Sequence, residues 1–274
     1  MNRTSRAKGL TDAGLKEVAK LINLRELALD RSPVTDDGVK ELAKLKNLER
    51  LDLTITEVSD VGVKELAGLK NLRALYLNST QLTDVGLKSL AEVKNLQKLW
   101  VNFTGVTDEG LKEVAKLNDL QELTLILTEV TDAGLKQLTA LKKLRLLELQ
   151  ETQVSDAGLK ELAGMTSLEE LNLSQSRVTG AGLKELAELK NLQKLSLNMT
   201  GVTDAGLKEL LKLKSLKGLE LRETKVTYTG VKELTGLKSL QFLDLFGTVV
   251  TYSEAEKFQK ALPGCFVIAS TPDR

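Results

Sequence analysis

Residues 58–81 read VSDVGVKELAGLKNLRALYLNSTQ, and the pattern of this stretch returns throughout the chain. It restarts every 24 residues without insertion or deletion, at Leu10, Val34, Val58, Leu82, Val106, Val130, Val154, Val178, Val202 and Val226. Ten such repeats cover residues 10–249 of 274, and an altered repeat begins at Val250. A fixed period of this length is typical of a solenoid, in which each repeat buries its apolar side against its neighbours.

The first half of each repeat predicts a helix. A threonine or serine such as Thr83 stands where an N-cap is expected, and an aspartate such as Asp84 follows it in eight of the ten repeats. The spacing of Asp84 and Lys88 predicts an exposed ion pair. A glycine recurs at the position of Gly86 in all ten repeats, which indicates a shared steric demand. Asparagines such as Asn95, between helix and strand, predict a left-handed C-cap.

The second half of each repeat predicts a strand, with the pattern Leu72-x-x-Leu75-x-Leu77. This pattern resembles the leucine-rich repeat family, whose core is LxxLxLxxN/CxL. The helical segment is most similar to the ribonuclease-inhibitor-like and cysteine-containing subclasses and to bacterial proteins with 24-residue repeats. One position departs from the family: a threonine or serine such as Thr80 stands where asparagine or cysteine is usual, and its hydroxyl can supply the hydrogen bonds instead.

The resemblance implies an α/β fold, a right-handed leucine-rich-repeat solenoid shaped as a horseshoe. A parallel β-sheet is expected on the concave face and helices on the convex face. Residues 1–9, polar and without periodicity, predict a disordered or linker N-terminus. Residues 250–274 predict a degenerate capping repeat and a tail, with Cys265 as a small buried apolar residue. We expect a monomer. Because no N-terminal cap is visible, dimerisation through the uncapped first coil is the alternative.

Composition excludes several functions. The chain has no histidine and one cysteine, which rules out Ser-His and Cys-His catalysis and histidine-bound zinc. We therefore expect no enzyme activity and no cofactor. The 39 basic and 38 acidic residues balance, which argues against nucleic acid or an anionic membrane as partner. The chain has no long apolar run, and its start lacks the apolar segment of a signal peptide. These features predict a cytoplasmic protein, with a removed signal peptide as the alternative.

Function is expected at the strand positions that lie between the core leucines and point to the concave face. Five of the nine aromatic residues fall at such positions. The predicted central patch consists of Tyr76, Asn78, Trp100, Asn102, Phe103, Ile126, Leu127 and Leu146. A second patch, near the cap, consists of Phe242 and Phe246. Exposed apolar patches with aromatic anchors usually mark binding surfaces. The same face has ten acidic and five basic residues, which favours a partner with apolar and basic surface.

The sequence therefore predicts a scaffold that binds a protein or peptide on its concave face. One alternative is a glycan or small-ligand sensor, in which Tyr76 and Trp100 stack on a sugar ring beside the amides of Asn78 and Asn102. Another is an engineered or reconstructed repeat scaffold without a natural partner. A structural explanation also exists for the aromatic residues, because they can stack along the sheet or, near the cap, pack beneath it.

Overall fold

The computed structural model describes residues 9–270 and the backbone of residues 4–6. The chain divides into two compact units. Unit 1 comprises Met1–Val130 and Ala140–Leu144, and unit 2 comprises Thr131–Thr139 and Arg145–Arg274. Within each unit, parallel strands alternate with short helices, which confirms the predicted α/β class.

The described part of unit 1 holds six parallel strands, each paired with the next along the chain. The strands are β1 Thr4–Arg6, β2 Glu26–Ala28, β3 Arg50–Asp52, β4 Ala74–Tyr76, β5 Lys98–Trp100 and β6 Glu122–Thr124. The helices are α1 Asp12–Val18, α2 Asp36–Leu42, α3 Asp60–Glu65, α4 Asp84–Leu90 and α5 Asp108–Val114, and a 3-10 turn at Leu66–Gly68 extends α3.

Unit 2 repeats the same arrangement. Its strands are β7 Leu146–Glu148, β8 Glu170–Asn172, β9 Lys194–Ser196, β10 Gly218–Glu220, β11 Phe242–Leu245 and β12 Phe266–Ala269, again paired in parallel order. Its helices are α6 Asp132–Leu138, α7 Asp156–Leu162, α8 Asp204–Leu207, α9 Tyr228–Glu233 and α10 Tyr252–Ala261. The 3-10 segments are Leu183–Glu188, Lys208–Lys212 and Leu234–Gly236.

The core of each unit is a stack of aliphatic side chains at the repeat positions. Leu75, Leu77 and Val58 have no measurable exposure, and the equivalent residues of neighbouring repeats are buried in the same way. The hydroxyl of Thr80 donates to the carbonyl of Leu77 at 2.7 Å, and the ladder threonines of other repeats do the same. The hydroxyl therefore closes the turn after each strand.

Aspartates at the helix starts join consecutive repeats. The carboxylate of Asp36 accepts hydrogen bonds from the backbone N–H of Ser59 at 2.8 Å and from its hydroxyl at 2.6 Å. The predicted ion pair of Asp84 with Lys88 is wrong, because Asp84 is bonded in the same way to Thr107. A hydroxyl and an N–H that are fixed by the fold hold the carboxylate better than a flexible lysine does.

The asparagines between helix and strand also link repeats. The predicted left-handed backbone is wrong for Asn71 and Asn95, since neither has a positive φ. Their side-chain amides instead donate to carbonyls of the preceding repeat, Asn71 to Lys46 and Asn95 to Lys70, both at 2.8 Å.

The two chain ends differ from the repeats. Strand β1 pairs with β2 at Thr4–Arg6, within the stretch predicted as a disordered or linker N-terminus, while residues 1–3 and 7–8 lie outside the described residues. At the other end, α10 and β12 follow the last repeat, and Thr251 forms a capping box with Glu254. The tail of the predicted cap, residues 271–274, lies outside the described residues.

Candidate binding surface

Each repeat presents four outward positions, which together form the strand surface; in one repeat they are Ala74, Tyr76, Asn78 and Ser79. The fourth position has a left-handed backbone, and in unit 1 the residues with φ between 52° and 58° are Arg31, Ile55, Ser79, Phe103 and Leu127. This conformation costs a residue with a Cβ atom about 1–2 kcal/mol. Backbone hydrogen bonds between neighbouring repeats impose this conformation, since the N–H of Ile55 donates to the carbonyl of Asn78 at 2.9 Å.

The left-handed positions place apolar side chains in solvent. Ile55 is 47% exposed, Phe103 51% and Leu127 46%. These three residues are called the exit ridge, because they lie where β3, β5 and β6 end. Apolar side chains of the core have almost no exposure, so the exit ridge is a separate apolar feature of unit 1.

An aromatic cluster lies on the strands beside the exit ridge. Tyr76 and Trp100 are paired across β4 and β5, and their rings meet edge to face with centroids 4.8 Å apart. The guanidinium carbon of Arg50 lies 4.5 Å from the centroid of the Tyr76 ring. Tyr76 is consequently only 5% exposed, whereas Trp100 is half-buried. The indole N–H of Trp100 has no hydrogen-bond partner within the described part of the chain.

The predicted asparagines support the backbone of the next repeat. The side-chain oxygen of Asn78 accepts from the N–H of Asn102 at 3.0 Å, and that of Asn102 accepts from the N–H of Ile126 at 2.8 Å. Asn102 is buried, and Ile126 is half-buried. Of the predicted central patch in unit 1, Trp100, Phe103, Ile126 and Leu127 offer apolar surface, while Tyr76 and Asn102 lie beneath it.

A groove of about 420 Å³ adjoins the aromatic cluster. Its lining includes Arg50, Asp52, Ile55, Tyr76, Asn78 and Trp100. Arg50 and Ile55 were not among the predicted site residues. The alternation of the strand already places Arg50 outward, but its contact with Tyr76 depends on strand register and side-chain rotamer.

In unit 2, Leu146 is a half-buried residue of β7. Phe242 stacks on Phe266 of β12, with ring centroids 6.3 Å apart and an interplanar angle of 21°. Phe246 is exposed, and the guanidinium of Arg222 covers its ring at 4.9 Å. The predicted terminal patch therefore gains Phe266, which the repeat pattern does not reach.

Unit 2 also has a groove of about 600 Å³ on its strand surface. Its lining includes the glutamates Glu148, Glu170 and Glu220, the lysines Lys194 and Lys217, and Phe242. Burial raises the pKa of Glu148, and the nearby charges of Glu170 and Glu220 raise it further, although a hydrogen bond from Asn172 opposes the shift. Sequence reasoning placed these glutamates on the concave face but did not bring them together.

The single cysteine, Cys265, is buried. Burial raises the pKa of the Cys265 thiol to about 11, so the thiol stays protonated at neutral pH. Among residues 4–6 and 9–270, no three acidic or cysteine side chains are grouped so that they could hold a metal ion. No helix in this part of the chain is both long enough and apolar enough to cross a membrane.

Comparison with known proteins agrees with this architecture. A family model described as leucine-rich repeat matches residues 22–82, and a second with the same description matches residues 164–187 and 188–211. The chain is a leucine-rich-repeat protein. This confirms the predicted family and the solenoid fold. The predicted ribonuclease-inhibitor-like or cysteine-containing subclass stays a prediction.

Solved structures of two internalins from Listeria monocytogenes are similar to this leucine-rich-repeat chain. Internalin InlF has 22% sequence identity and a TM-score of 0.66, over 94% of this chain and 83% of its own. Internalin C2 has 25% identity and a TM-score of 0.59, over 76% of this chain and 83% of its own. No curated protein sequence matches the chain. The shared fold is suited to a protein-binding repeat scaffold.

Proposed function

We propose that this leucine-rich-repeat protein binds another protein or a peptide through the strand surface of unit 1, without catalysis. The observation that carries the proposal is the exit ridge, in which Phe103 and Leu127 stay about half exposed beside strands whose leucines are buried. An exposed apolar patch beside a groove with an aromatic wall is typical of a recognition surface.

The anchors would be Phe103 and Leu127, with Trp100 and Ile126 as the partly buried apolar surface beside them. Backbone hydrogen bonds between neighbouring repeats fix this surface before a partner binds, since the N–H of Phe103 donates to the carbonyl of Ile126 at 2.8 Å. A preformed surface loses little conformational entropy on association, so modest apolar contacts can yield useful affinity.

A protein partner is favoured over a glycan. A sugar ring would need an open aromatic face and free amides, but Arg50 covers the ring of Tyr76. The side-chain oxygens of Asn78 and Asn102 already accept backbone hydrogen bonds. The polar groups expected of a sugar site are thus used within the protein itself.

The test is affinity capture from a lysate of the source organism with the wild type and the double variant Phe103→Asn, Leu127→Asn. Asparagine tolerates the left-handed backbone, so the change removes apolar surface without strain. The control is Gln175→Asn in unit 2, which introduces asparagine at an equivalent left-handed position without removing an apolar side chain. We expect the wild type and the control to capture the same protein, and the double variant to capture at least about tenfold less of it. Equal capture by all three would contradict the proposal.

A further inference from the structure

The groove of unit 2 has a floor without large side chains. Ser196 and Gly218 form part of it, and Glu148 and Glu220 line its sides. A Cβ atom added to Gly218 would meet only Lys194, at 3.7 Å, so the space above this residue is open. Leu146 occupies the position in β7 that Gly218 occupies in β10, so a large side chain can be accommodated there. The groove therefore exists because one repeat lacks a side chain that the strand can accommodate.

Two carboxylates in this groove are held by neutral donors. Glu148 accepts from the amide of Asn172 at 2.6 Å, and Glu220 accepts from the amide of Asn198 at 2.6 Å. Within the described ranges, no lysine or arginine forms an ion pair with either one, whereas Glu170 is paired with Lys194 at 2.9 Å. The amides fix the positions of both carboxylates without neutralising their charge.

The ring of Phe242 forms a wall of the same groove. One of its faces is stacked on Phe266. Its neighbour on the other side is Gly218, which is paired with Phe242 across β10 and β11 and has no side chain. An aromatic face beside carboxylates attracts a cation through both the ring quadrupole and the negative charges.

Elsewhere the protein covers such rings with its own cations. Arg50 lies over Tyr76, and Arg222 lies over Phe246. No lysine or arginine in the described residues lies over Phe242 in this way. Phe242 is thus an aromatic wall of a groove lined by three glutamates and two lysines, and its ring lacks the covering cation found at the two other rings.

The charge of the whole strand surface points in the same direction. In unit 2 this surface has two basic side chains and six acidic ones, Glu148, Glu151, Glu170, Glu220, Glu223 and Asp244, for a net charge of −4. The strand surface of unit 1 has four acidic and three basic side chains, for a net charge of −1. Negative charge is concentrated on the unit that has the groove.

We propose that the groove of unit 2 receives a basic segment of a protein partner, with lysine or arginine side chains at Glu148 and Glu220. The aliphatic stem of one of these side chains lies above Gly218 and against Phe242. This inference rests on the proposed function in that the partner is a protein, but it uses a different unit and different residues. Charge complementarity selects a basic partner over an acidic or purely apolar one.

The test measures fluorescence anisotropy with a short fluorescein-labelled lysine–glycine peptide and, for comparison, a glutamate–glycine peptide. We expect the wild type to bind the lysine peptide at low salt and not the glutamate peptide, with weaker binding as salt screens the charges. Two variants should each weaken binding at least about tenfold: the double variant Glu148→Gln, Glu220→Gln and the single variant Gly218→Leu. Gly218→Leu keeps every charge and fills the groove, so it tests shape separately.

The matched control is Glu233→Gln with Glu256→Gln, which removes the same charge from exposed helix positions of unit 2. It should bind the lysine peptide as the wild type does. Absence of lysine-peptide binding, or an equal loss in this control, would overturn the groove proposal. The unit 1 variant Phe103→Asn, Leu127→Asn should bind the peptide normally. If the wild type binds the peptide and the unit 1 variant still captures the lysate protein, the groove proposal stands and the unit 1 surface is rejected. If the wild type does not bind the peptide and the unit 1 variant loses capture, only the groove proposal is rejected.

Discussion

The carboxylate of Asp60 accepts both hydrogens that Thr83 donates one repeat later, from the N–H at 2.8 Å and from the hydroxyl at 2.6 Å. It also accepts the N–H of Gly86 at 3.0 Å. The Thr83 hydroxyl in turn accepts from the N–H of Val85, as an N-cap does. One aspartate therefore fixes the start of the next helix and joins two repeats. The recurrence of Thr, Asp and Gly in the sequence is explained by this single contact.

Removing this contact should destabilise the protein. We expect Asp60→Ala to lower the free energy of unfolding by about 2 kcal/mol, because three donors lose a charged acceptor. Urea unfolding followed by circular dichroism measures the change. The control is Asp37→Ala, which removes an exposed aspartate from the first turn of α2. Equal effects of the two substitutions would mean that the link between repeats contributes nothing.

Two of the ten repeats lack the aspartate, which is replaced by Gly180 and Tyr228, and restoring it at Gly180 should stabilise the protein. Gly180 stands at that position, and Thr203 makes no side-chain cap hydrogen bond. A Cβ atom added to Gly180 would lie 3.6 Å from the Thr203 hydroxyl oxygen, so an aspartate can reach it, but it would also lie 3.0 Å from the Gly206 backbone nitrogen, which must move slightly to make room. We expect Gly180→Asp to raise the free energy of unfolding by about 1 kcal/mol. Gly164→Asp, which makes the same change in open space, should produce no such gain.

The repeated glycine should not tolerate a side chain. A Cβ atom at Gly86 would lie 2.6 Å from the Asp60 carboxylate oxygen and 2.5 Å from a methyl group of Leu82. We expect Gly86→Ala to lower the melting temperature and the free energy of unfolding, the latter by about 1–3 kcal/mol. Gly164→Ala meets no atom within 4 Å and should be neutral or stabilising. A neutral Gly86→Ala variant would show that the helix start can shift to make room.

The stability of the protein should depend on the ionisation of Glu148. Burial raises its pKa in the folded state above the unfolded value of about 4.3. Between these two pKa values the folded state binds more protons than the unfolded state, so stability falls as pH rises through this window. We expect Glu148→Gln to be more stable than the wild type at pH 7 in urea unfolding. The difference should disappear below about pH 4, where both states of the wild type are protonated. Glu233→Gln, at an exposed position, should show no such pH-dependent gain, and a gain of equal size there would contradict the assignment.

Much of the fold could be predicted because the 24-residue period leaves little choice of architecture. The N-caps follow from local sequence, and the structure confirms them at Thr83 and Thr107. The role of Asp60 could not be predicted, because its partner lies 23 residues away and a lysine four residues away is the obvious local candidate. The two residues are far apart in sequence, and only the stacking of consecutive repeats brings them within hydrogen-bonding distance.

The binding surface was predicted less completely. Alternation along the strand correctly places Trp100 outward, and Phe103 was expected outward from its place at the strand exit. Neither expectation includes the left-handed backbone of Phe103, since phenylalanine does not favour that conformation. Exposure of Tyr76 was expected from its position in the strand, whereas Arg50 and Trp100 cover it. Such coverage depends on rotamers and on neighbouring strands, which the repeat pattern does not encode. The role of the predicted site residues in binding stays a prediction.

The most direct test of the proposed function is photo-crosslinking with p-benzoylphenylalanine placed at Phe103 or, as control, at Val85. Both side chains are exposed and apolar, but Phe103 lies on the exit ridge and Val85 lies on helix α4. In a lysate of the source organism, the proposed function predicts a protein adduct from position 103 and none from position 85. An adduct from position 85 with none from position 103 would place recognition on the helices and contradict the proposed binding surface.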